Sequence, residues 1–428
     1  MKNPPRVLNP RRIVLEGDGR IRECMTNYKD LRNHCRQTQH LTHTVIDGFL
    51  IYYAARQDKL NRQAEKKLAR YRHVSRELPK EWSNMAIAQF IAHRIFKQDG
   101  LINRYIHHSG LDHLLEEEMA FLEFQTRHPW RFSFAEITGR PDRDFFDLND
   151  VFTGESYLLY SPGLTDIMVS QQVRLCFNLI GFNGECWQTY GPISTYNGFD
   201  PSDILFFATE VNRGDWIENG TELLELVETD PVPFMHLICG ATYPRSFHMD
   251  DQILEIIAEY LDDSFDASAL RNRFTVEYSQ GVYKLSLPDW SQFPHYTAAY
   301  YEENEELLFL YSMTDRGFSY LVSQLNKCGY ELSFDPNIRV TMGMLQTADE
   351  ILKKGFNLNP YSSMFSTELP EEDPEEINNI NTMLSSMVPD LNAGKKVNLD
   401  EMSNTYNVPL ETVRELCEQF KSKLDQKK

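Results

Sequence analysis

No apolar run in the 428-residue chain reaches the roughly 18–20 residues that cross a bilayer. The most apolar early stretch, Gly48-Phe-Leu-Ile-Tyr-Tyr-Ala-Ala55, stops far short, so neither a membrane span nor a membrane partner is expected. The opening Met1-Lys-Asn-Pro-Pro-Arg lacks the apolar core and small-residue cleavage site of a secretory signal, which makes a cytoplasmic location the expectation. Cys-x-x-Cys pairs are missing too. The seven cysteines, at positions 24, 35, 176, 186, 239, 328 and 417, are odd in number and scattered. Neither a disulfide framework nor a cysteine zinc site is expected from them, and most read as small apolar core residues. The chain has no Gly-x-Ser-x-Gly elbow, no Gly-x-x-x-x-Gly-Lys phosphate loop and no Gly-x-Gly-x-x-Gly turn. Hydrolase, P-loop and Rossmann readings lose ground accordingly, and no cofactor is expected.

What is present supports folded domains. Hydrophobic residues make up 41% and aromatics 12%, enough for large cores and for two or three domains of about 100–200 residues. Cations are in deficit, 43 Lys and Arg against 63 Asp and Glu, but the deficit is uneven. Residues 1–80 hold 18 cations and 8 carboxylates, a charge of +10, which leaves −30 for residues 81–428. A basic head on an acidic body points to an anionic partner, or to packing of the head on the acidic surface of its own chain or of a second copy.

The hydrophobic periods define an α+β protein. Residues 1–127 read as a mainly helical, basic N-terminal region. Leu60, Ala64, Leu68, Tyr71 and Val74 recur at three- and four-residue spacing, with Arg62, Lys66, Lys67, Arg70 and Arg72 on the outer surface. Further helices are expected from Ser83-Asn84 and from about Leu111 to Gln125. Residues 128–208 alternate and read as a small antiparallel β barrel or sheet, with Asn183-Gly184 as a type I′ hairpin turn. Residues 209–264 read as a helical connector, in which Ile253, Leu254, Ile256, Ile257, Tyr260 and Leu261 form an apolar helix face. Residues 265–357 read as a second α+β layer domain. It has hairpins at 274–287 and 297–311, a helix from Asp315 ended by Gly329, a strand Tyr330–Phe334, an extended stretch near Ile338–Thr341 and a last helix ending at Gly355. Residues 358–396 read as an acidic linker with room for a short helix, and 397–428 as a helical hairpin resembling a helix-turn-helix.

Phe146-Asp147-Leu148-Asn149-Asp150, then Thr153-Gly154-Glu155 and an aromatic strand, resemble a small β module found in uncharacterised bacterial proteins, some of which end in the cysteine-rich SEC-C zinc motif. The resemblance covers residues 128–208. It implies a compact β module after a helical N-terminus and brings no catalytic or binding residue; the SEC-C cysteine cluster is absent here.

Other constellations have ordinary readings beside functional ones. His107, His108, Asp112 and His113, with His40 and His43, offer imidazole and carboxylate ligands, but a Ser109-Gly110 break and the lack of His-Glu-x-x-His favour surface or interface histidines. His248, Asp250, Asp251, Asp262 and Asp263 offer paired carboxylates, although Asp250 and Asp251 also suit a helix N-terminus. Phe132, Phe134, Phe146, Tyr157, Tyr160, Trp187 and Tyr190 would stack bases if exposed together, whereas alternating strand aromatics are more often core. The helix-turn-helix outline carries Glu411, Glu415 and Glu418 against Arg414, a charge pattern that phosphate repels. No catalytic, cofactor or metal residue is assigned. The expected function is a non-catalytic scaffold for a macromolecule, first a protein, with the acidic body and C-terminal helices as contacts. The alternatives are a nucleic-acid- or ribosome-associated factor using Arg62, Lys66, Lys67, Arg70 and Arg72, and an enzyme of unfamiliar type.

Overall fold

A computed structural model describes residues 13–15, 21–23, 27–76, 78–169, 173–217, 219–242, 253–260, 265–292, 295–365, 374–392, 397–410, 412–414 and 416–418. His248, Asp250, Asp251, Asp262 and Asp263 lie outside them. The chain forms two compact units, Met1–Leu358 and Asn359–Lys428, and the architecture is α+β.

The first unit begins with a two-stranded ribbon, β1 (Ile13–Leu15) and β2 (Ile21–Glu23). Asn27 then caps a helix by accepting the Lys29 N–H, and the helix continues without a break through α1 (Tyr28–Leu41), a π-helical segment (Thr42–Leu50) and α2 (Ile51–Gln57). α3 (Leu60–Leu68) and the short α4 (Arg72–Ser75) follow the expected apolar period. α5 (Lys80–Phe96) starts just after Pro79, three residues before the expected Ser83-Asn84, because proline supports a helix start and cannot sit inside one. Trp82, Ala86, Gln89, Phe90, Ile91, His93, Ile95 and Phe96 are all buried, so α5 is the central helix of the head. After α6 (Ile102–Tyr105) comes α7 (Glu116–Arg127), which opens with Glu116, Glu117 and Glu118 where the helix dipole favours negative charge.

Residues 131–196 close into a barrel of five strands in the order β3-β4-β5-β7-β6. They are β3 (Arg131–Asp142), β4 (Phe145–Asp150), β5 (Ser156–Tyr160), β6 (Leu175–Phe182) and β7 (Trp187–Tyr196), with α8 (Pro162–Met168) between β5 and β6. The expected antiparallel sheet has one parallel seam. β5 and β7 run the same way and pair only through Leu159 with Trp187 and Tyr160 with Gln188, since α8 and β6 intervene in sequence. Nor is Asn183-Gly184 a two-residue turn. β6 and β7 are joined by four residues, Gly184 alone of the two takes a positive φ (+99°), and the Asn183 side chain accepts the N–H groups of Glu185 and Cys186.

The aromatics of β3 alternate as core. Phe132 and Phe134 stack on Phe177, and Phe134 meets Phe234 beneath the helices. Inside lie Ala135, Phe146, Leu148, Leu159, Cys176 and Ile180. The Asp150 carboxylate accepts the Ser133 hydroxyl and the N–H groups of Phe152 and Thr153, while Gly154 turns the chain at φ +71°. Asp150, Thr153 and Gly154 thus build a tight turn.

Beyond the barrel come α9 (Pro201–Val211), α10 (Gly220–Thr229) and α11 (Val232–Met235). The helix expected over 253–261 is a strand, β8 (Ile253–Tyr260). It lies within a six-stranded antiparallel sheet in the order β13-β8-β12-β11-β10-β9, with α12 (Ala267–Leu270), β9 (Thr275–Ser279), β10 (Val282–Ser286), β11 (Thr297–Glu302), β12 (Leu307–Ser312), α13 (Asp315–Asn326) and β13 (Ile338–Thr341). Cross-strand pairing with β12 and β13 satisfies its backbone on both sides and overrides a spacing that also fits a helix. Phe318, Leu321, Val322 and Leu325 of α13 pack on Leu285, Ala299, Leu308 and Leu310, so a helix covers one face as expected. Tyr330–Phe334 is not a strand: the Asn326 side chain bonds both the N–H and the C=O of Leu332 and holds the segment as a loop.

α14 (Met342–Leu352) packs on α9, and the two β regions share one unit. Asp203 on α9 accepts the Thr341 N–H at 2.7 Å, and Arg339 bonds Asp200 at 3.0 Å.

In the second unit, α15 (Pro374–Asn392) occupies much of the stretch expected as a linker. Its Met383, Met387 and Leu391 pack with Val408, Val413 and Cys417, around α16 (Leu399–Tyr406) and a turn at Asn407. The apolar spacing at Ile380, Met383, Leu384 and Met387 makes it an amphipathic helix rather than a tether.

Candidate functional site

α3 is amphipathic, as its spacing requires. Leu60 and Ala64 are buried against neighbouring helices, and four of the five predicted cations face water: Arg62, Lys66, Arg70 and Arg72 are exposed and make no ion pair among the described residues. Arg62, Lys66 and Arg70 follow one another at four-residue steps, about 6 Å of rise each. The fifth is separated from them. Lys67 turns inward, and its ammonium lies 2.5 Å from Asp230 Oδ1 at the end of α10. The segment is held from behind, where His73 bonds the Glu350 carbonyl at 2.8 Å and the Tyr71 ring packs on His236.

Helix electrostatics accounts for only part of this set. Lys66 and Lys67 sit in the last turn of α3, where cations suit the dipole. Arg62 stands in the first turn, at the positive end, and Lys66 lies four residues from both Arg62 and Arg70. Such like-charge spacing costs a helix about 0.2–0.5 kcal/mol per pair. In a chain with 63 carboxylates, these cations remain without one among the described residues.

A second feature escaped sequence reasoning. A cleft of about 530 Å³ opens between the head and the barrel, walled by Thr38, Asn84, Met85, Phe121, Trp130 and Tyr190 among others. At its edge the Tyr190 hydroxyl donates to Asp47 Oδ1 at 2.5 Å, and His43 Nδ1 lies 3.6 Å from Asp47 Oδ2. The π-helical segment presents His43 and Asp47, and Gln89 of α5 fixes the opposite wall by donating to the carbonyls of Tyr190 and Pro192. Burial, reinforced by the Asp47 carboxylate, pushes the Tyr190 phenol far above its ordinary range. It therefore stays protonated and serves as a donor, not as a base. Asp47 and Tyr190 are 143 residues apart, and no local pattern links them.

Two of the histidines considered as ligands are engaged within the head. His108 accepts the Gly110 N–H and bonds the Tyr53 hydroxyl, and His113 packs edge-on against Phe49. Among the described residues no group of three or more His, Cys, Asp or Glu side chains is placed to hold a metal ion, and no helix is long and apolar enough to cross a membrane. Of the seven barrel aromatics considered for base stacking, Phe132, Phe134, Phe146, Tyr157 and Tyr160 are buried. Comparison with family models, with curated proteins and with solved structures finds no match to this chain.

Proposed function

We propose that the protein is a non-catalytic, cytoplasmic scaffold that binds an acidic protein through the cationic face of α3 and α4. The observation that carries this reading is that Arg62, Lys66, Arg70 and Arg72 are exposed and make no ion pair among the described residues, in a chain of net charge −20. A bound carboxylate would offset the mutual repulsion of these cations and the misfit of Arg62 with the helix dipole. Exposed Tyr52, Met85 and Leu115 on the same helical head supply the aromatic and apolar surface typical of protein interfaces. The strongly acidic remainder of the chain would repel a long phosphate backbone more than a short acidic segment. Nucleic-acid binding through the same cations is the second reading, supported by their succession along the α3–α4 segment.

The test compares a Glu-rich peptide with a single-stranded oligonucleotide of equal charge by fluorescence anisotropy across a salt series. Tighter binding of the peptide, lost in the R62E/K66E/R70E/R72E variant, is expected. Tighter binding of the oligonucleotide with a steep salt slope moves the assignment to nucleic acid. Binding of neither, or binding that the variant retains, overturns the role given to this face.

A further inference from the structure

Cys35 on α1 and Cys186 in the turn just before β7 are 151 residues apart in sequence, yet their sulfurs lie 3.4 Å from each other. Both are buried, at 0% and 2% exposure, beside Leu31, Phe145 and Tyr160. Apolar packing alone does not explain their surroundings. The Asn183 side-chain amide donates toward both sulfurs, at 3.5 Å to Cys35 and 3.6 Å to Cys186, while its carbonyl oxygen accepts the N–H groups of Glu185 and Cys186. Gln188 donates to the Cys35 carbonyl at 3.0 Å and accepts from Asn183, so the loop and the helix are held in register at the sulfur pair.

An amide donor aimed at two thiols favours negative charge on sulfur. The hydrogen bond with Cys186 lowers the Cys35 thiol against the effect of burial, and Asn183 and the nearby Arg32 act in the same direction. The Cys186 thiol is raised by the same hydrogen bond and by burial. Cys35 therefore gives up its proton more readily than Cys186, the division of labour of an attacking and a resolving cysteine. Cys176, buried inside the barrel, is pushed up to about 12 by burial and stays inert.

We infer that Cys35 and Cys186 form a reversible disulfide when a peroxide reaches them, a modification that locks the N-terminal helix to the barrel. The Cys35 thiolate attacks one peroxide oxygen, the O–O bond breaks, and hydroxide leaves from a sulfenic acid on Cys35. The Cys186 sulfur then attacks the Cys35 sulfur, the S–O bond breaks, and the departing oxygen takes the Cys186 proton as water. The hydroxide takes up the proton that Cys35 had released, so two thiols give two electrons and the peroxide becomes two waters. A disulfide is about 2.0 Å long, so the sulfurs close by roughly 1.4 Å, within reach of small side-chain and loop adjustments. A cytosolic thiol pair of this kind is a sensor, reset by cellular reductant.

The full-length protein is treated with equimolar hydrogen peroxide, alkylated under denaturing conditions and digested without reductant. Expected are a Cys35–Cys186 linked peptide, a fall of the free-thiol count from seven by two that dithiothreitol reverses, and a higher thermal midpoint for the oxidised form. In Cys186→Ser the sulfenic acid on Cys35 persists and is trapped by dimedone. Full alkylation of both cysteines after peroxide, or loss of thiols at other positions with this pair intact, overturns the proposal. The wild-type peptide map decides this even where a variant fails to fold.

Discussion

The buried carboxyl of Asp203, at the start of α9, accepts the backbone N–H of Thr341 at 2.7 Å and so ties the helix leaving the barrel to the edge strand of the second sheet. Burial, with the neighbouring charge of Asp200, pushes the Asp203 carboxyl up to about 7. A carboxyl raised in the folded state holds its proton after the unfolded chain has lost it. Its contribution is complete below about pH 4 and is lost as the pH rises toward 7. Urea denaturation between pH 4 and 7 should show Asp203→Asn without this downward slope, although less stable by about 1–3 kcal/mol because an amide oxygen cannot replace both carboxyl oxygens, which accept the N–H groups of Thr341 and Asp200. An unchanged slope in the variant would assign the effect elsewhere.

His236 acts with the opposite sign. It is fully buried between Tyr71 and Trp82, bonds the Val232 carbonyl through Nδ1 at 2.8 Å, and is lowered to about 4 by burial. The unfolded chain takes up a proton near pH 6.5 that the folded chain refuses, so stability falls as the pH drops from about 6.5 toward 4. The two groups offset each other over that window. His236→Phe should therefore uncover the Asp203 slope and Asp203→Asn the His236 slope, each steeper than wild type in paired denaturation series.

Phe134 joins the barrel to its covering helices. Its ring stacks 4.3 Å from Phe177 and meets Phe152 and Phe234 edge-on. Phe134→Ala should lose about 3–5 kcal/mol of stability in chemical denaturation. A loss under about 1 kcal/mol would mean that the helices collapse into the gap.

Gly191 stands at φ +81° with the Gln89 side chain 2.8 Å from where a Cβ would be. Gly191→Ala adds left-handed strain of about 1 kcal/mol and displaces the amide that bonds Tyr190 and Pro192. Combined with Gln89→Ala, which removes the Cγ and Nε2 contacts at 2.9 Å and leaves only Cβ at 2.8 Å, its effect should be less than additive in a double-mutant cycle. Strict additivity would show that the two residues do not meet.

Stability and binding should part company on α3. Arg62→Glu places an anion in the first turn and should raise stability by a few tenths of a kcal/mol, while weakening the peptide binding proposed above. Lys67→Ala removes the ion pair to Asp230, and a double-mutant cycle with Asp230→Ala should return about 0–1 kcal/mol. A fall in stability for Arg62→Glu would give that arginine a structural role.

The parts of the fold legible in the sequence are those whose pattern is local. Gln280-Gly281 takes positive φ at both positions and closes β9 on β10, and α13 buries its i, i+3, i+4, i+7 set. β8 was illegible because Ile253, Ile256, Ile257 and Tyr260 fit a helical period as well as a strand with a neighbour on either side. The loop at Tyr330–Phe334 depends on one side chain, Asn326, whose bonds to Leu332 no alternation reveals. The cations of α3 and α4 were readable from spacing, but that Lys67 pairs with Asp230 follows from where α10 ends. The Asp47–Tyr190 contact and the Cys35–Cys186 pair each join the head to the barrel, and only closure of the barrel against α1 and the π-helical segment creates them.

The position of β8 also sets an order of events during synthesis. When Tyr260 is added, both strands that will flank it, Leu307–Ser312 and Ile338–Thr341, are still uncoded in the growing chain. The barrel strands, by contrast, are all made once Tyr196 has emerged. The ribosome therefore carries the full set of barrel strands trailed by an apolar strand whose first partner is complete at Ser312 and whose second only at Thr341, so at least one of its edges is without its partner throughout that interval.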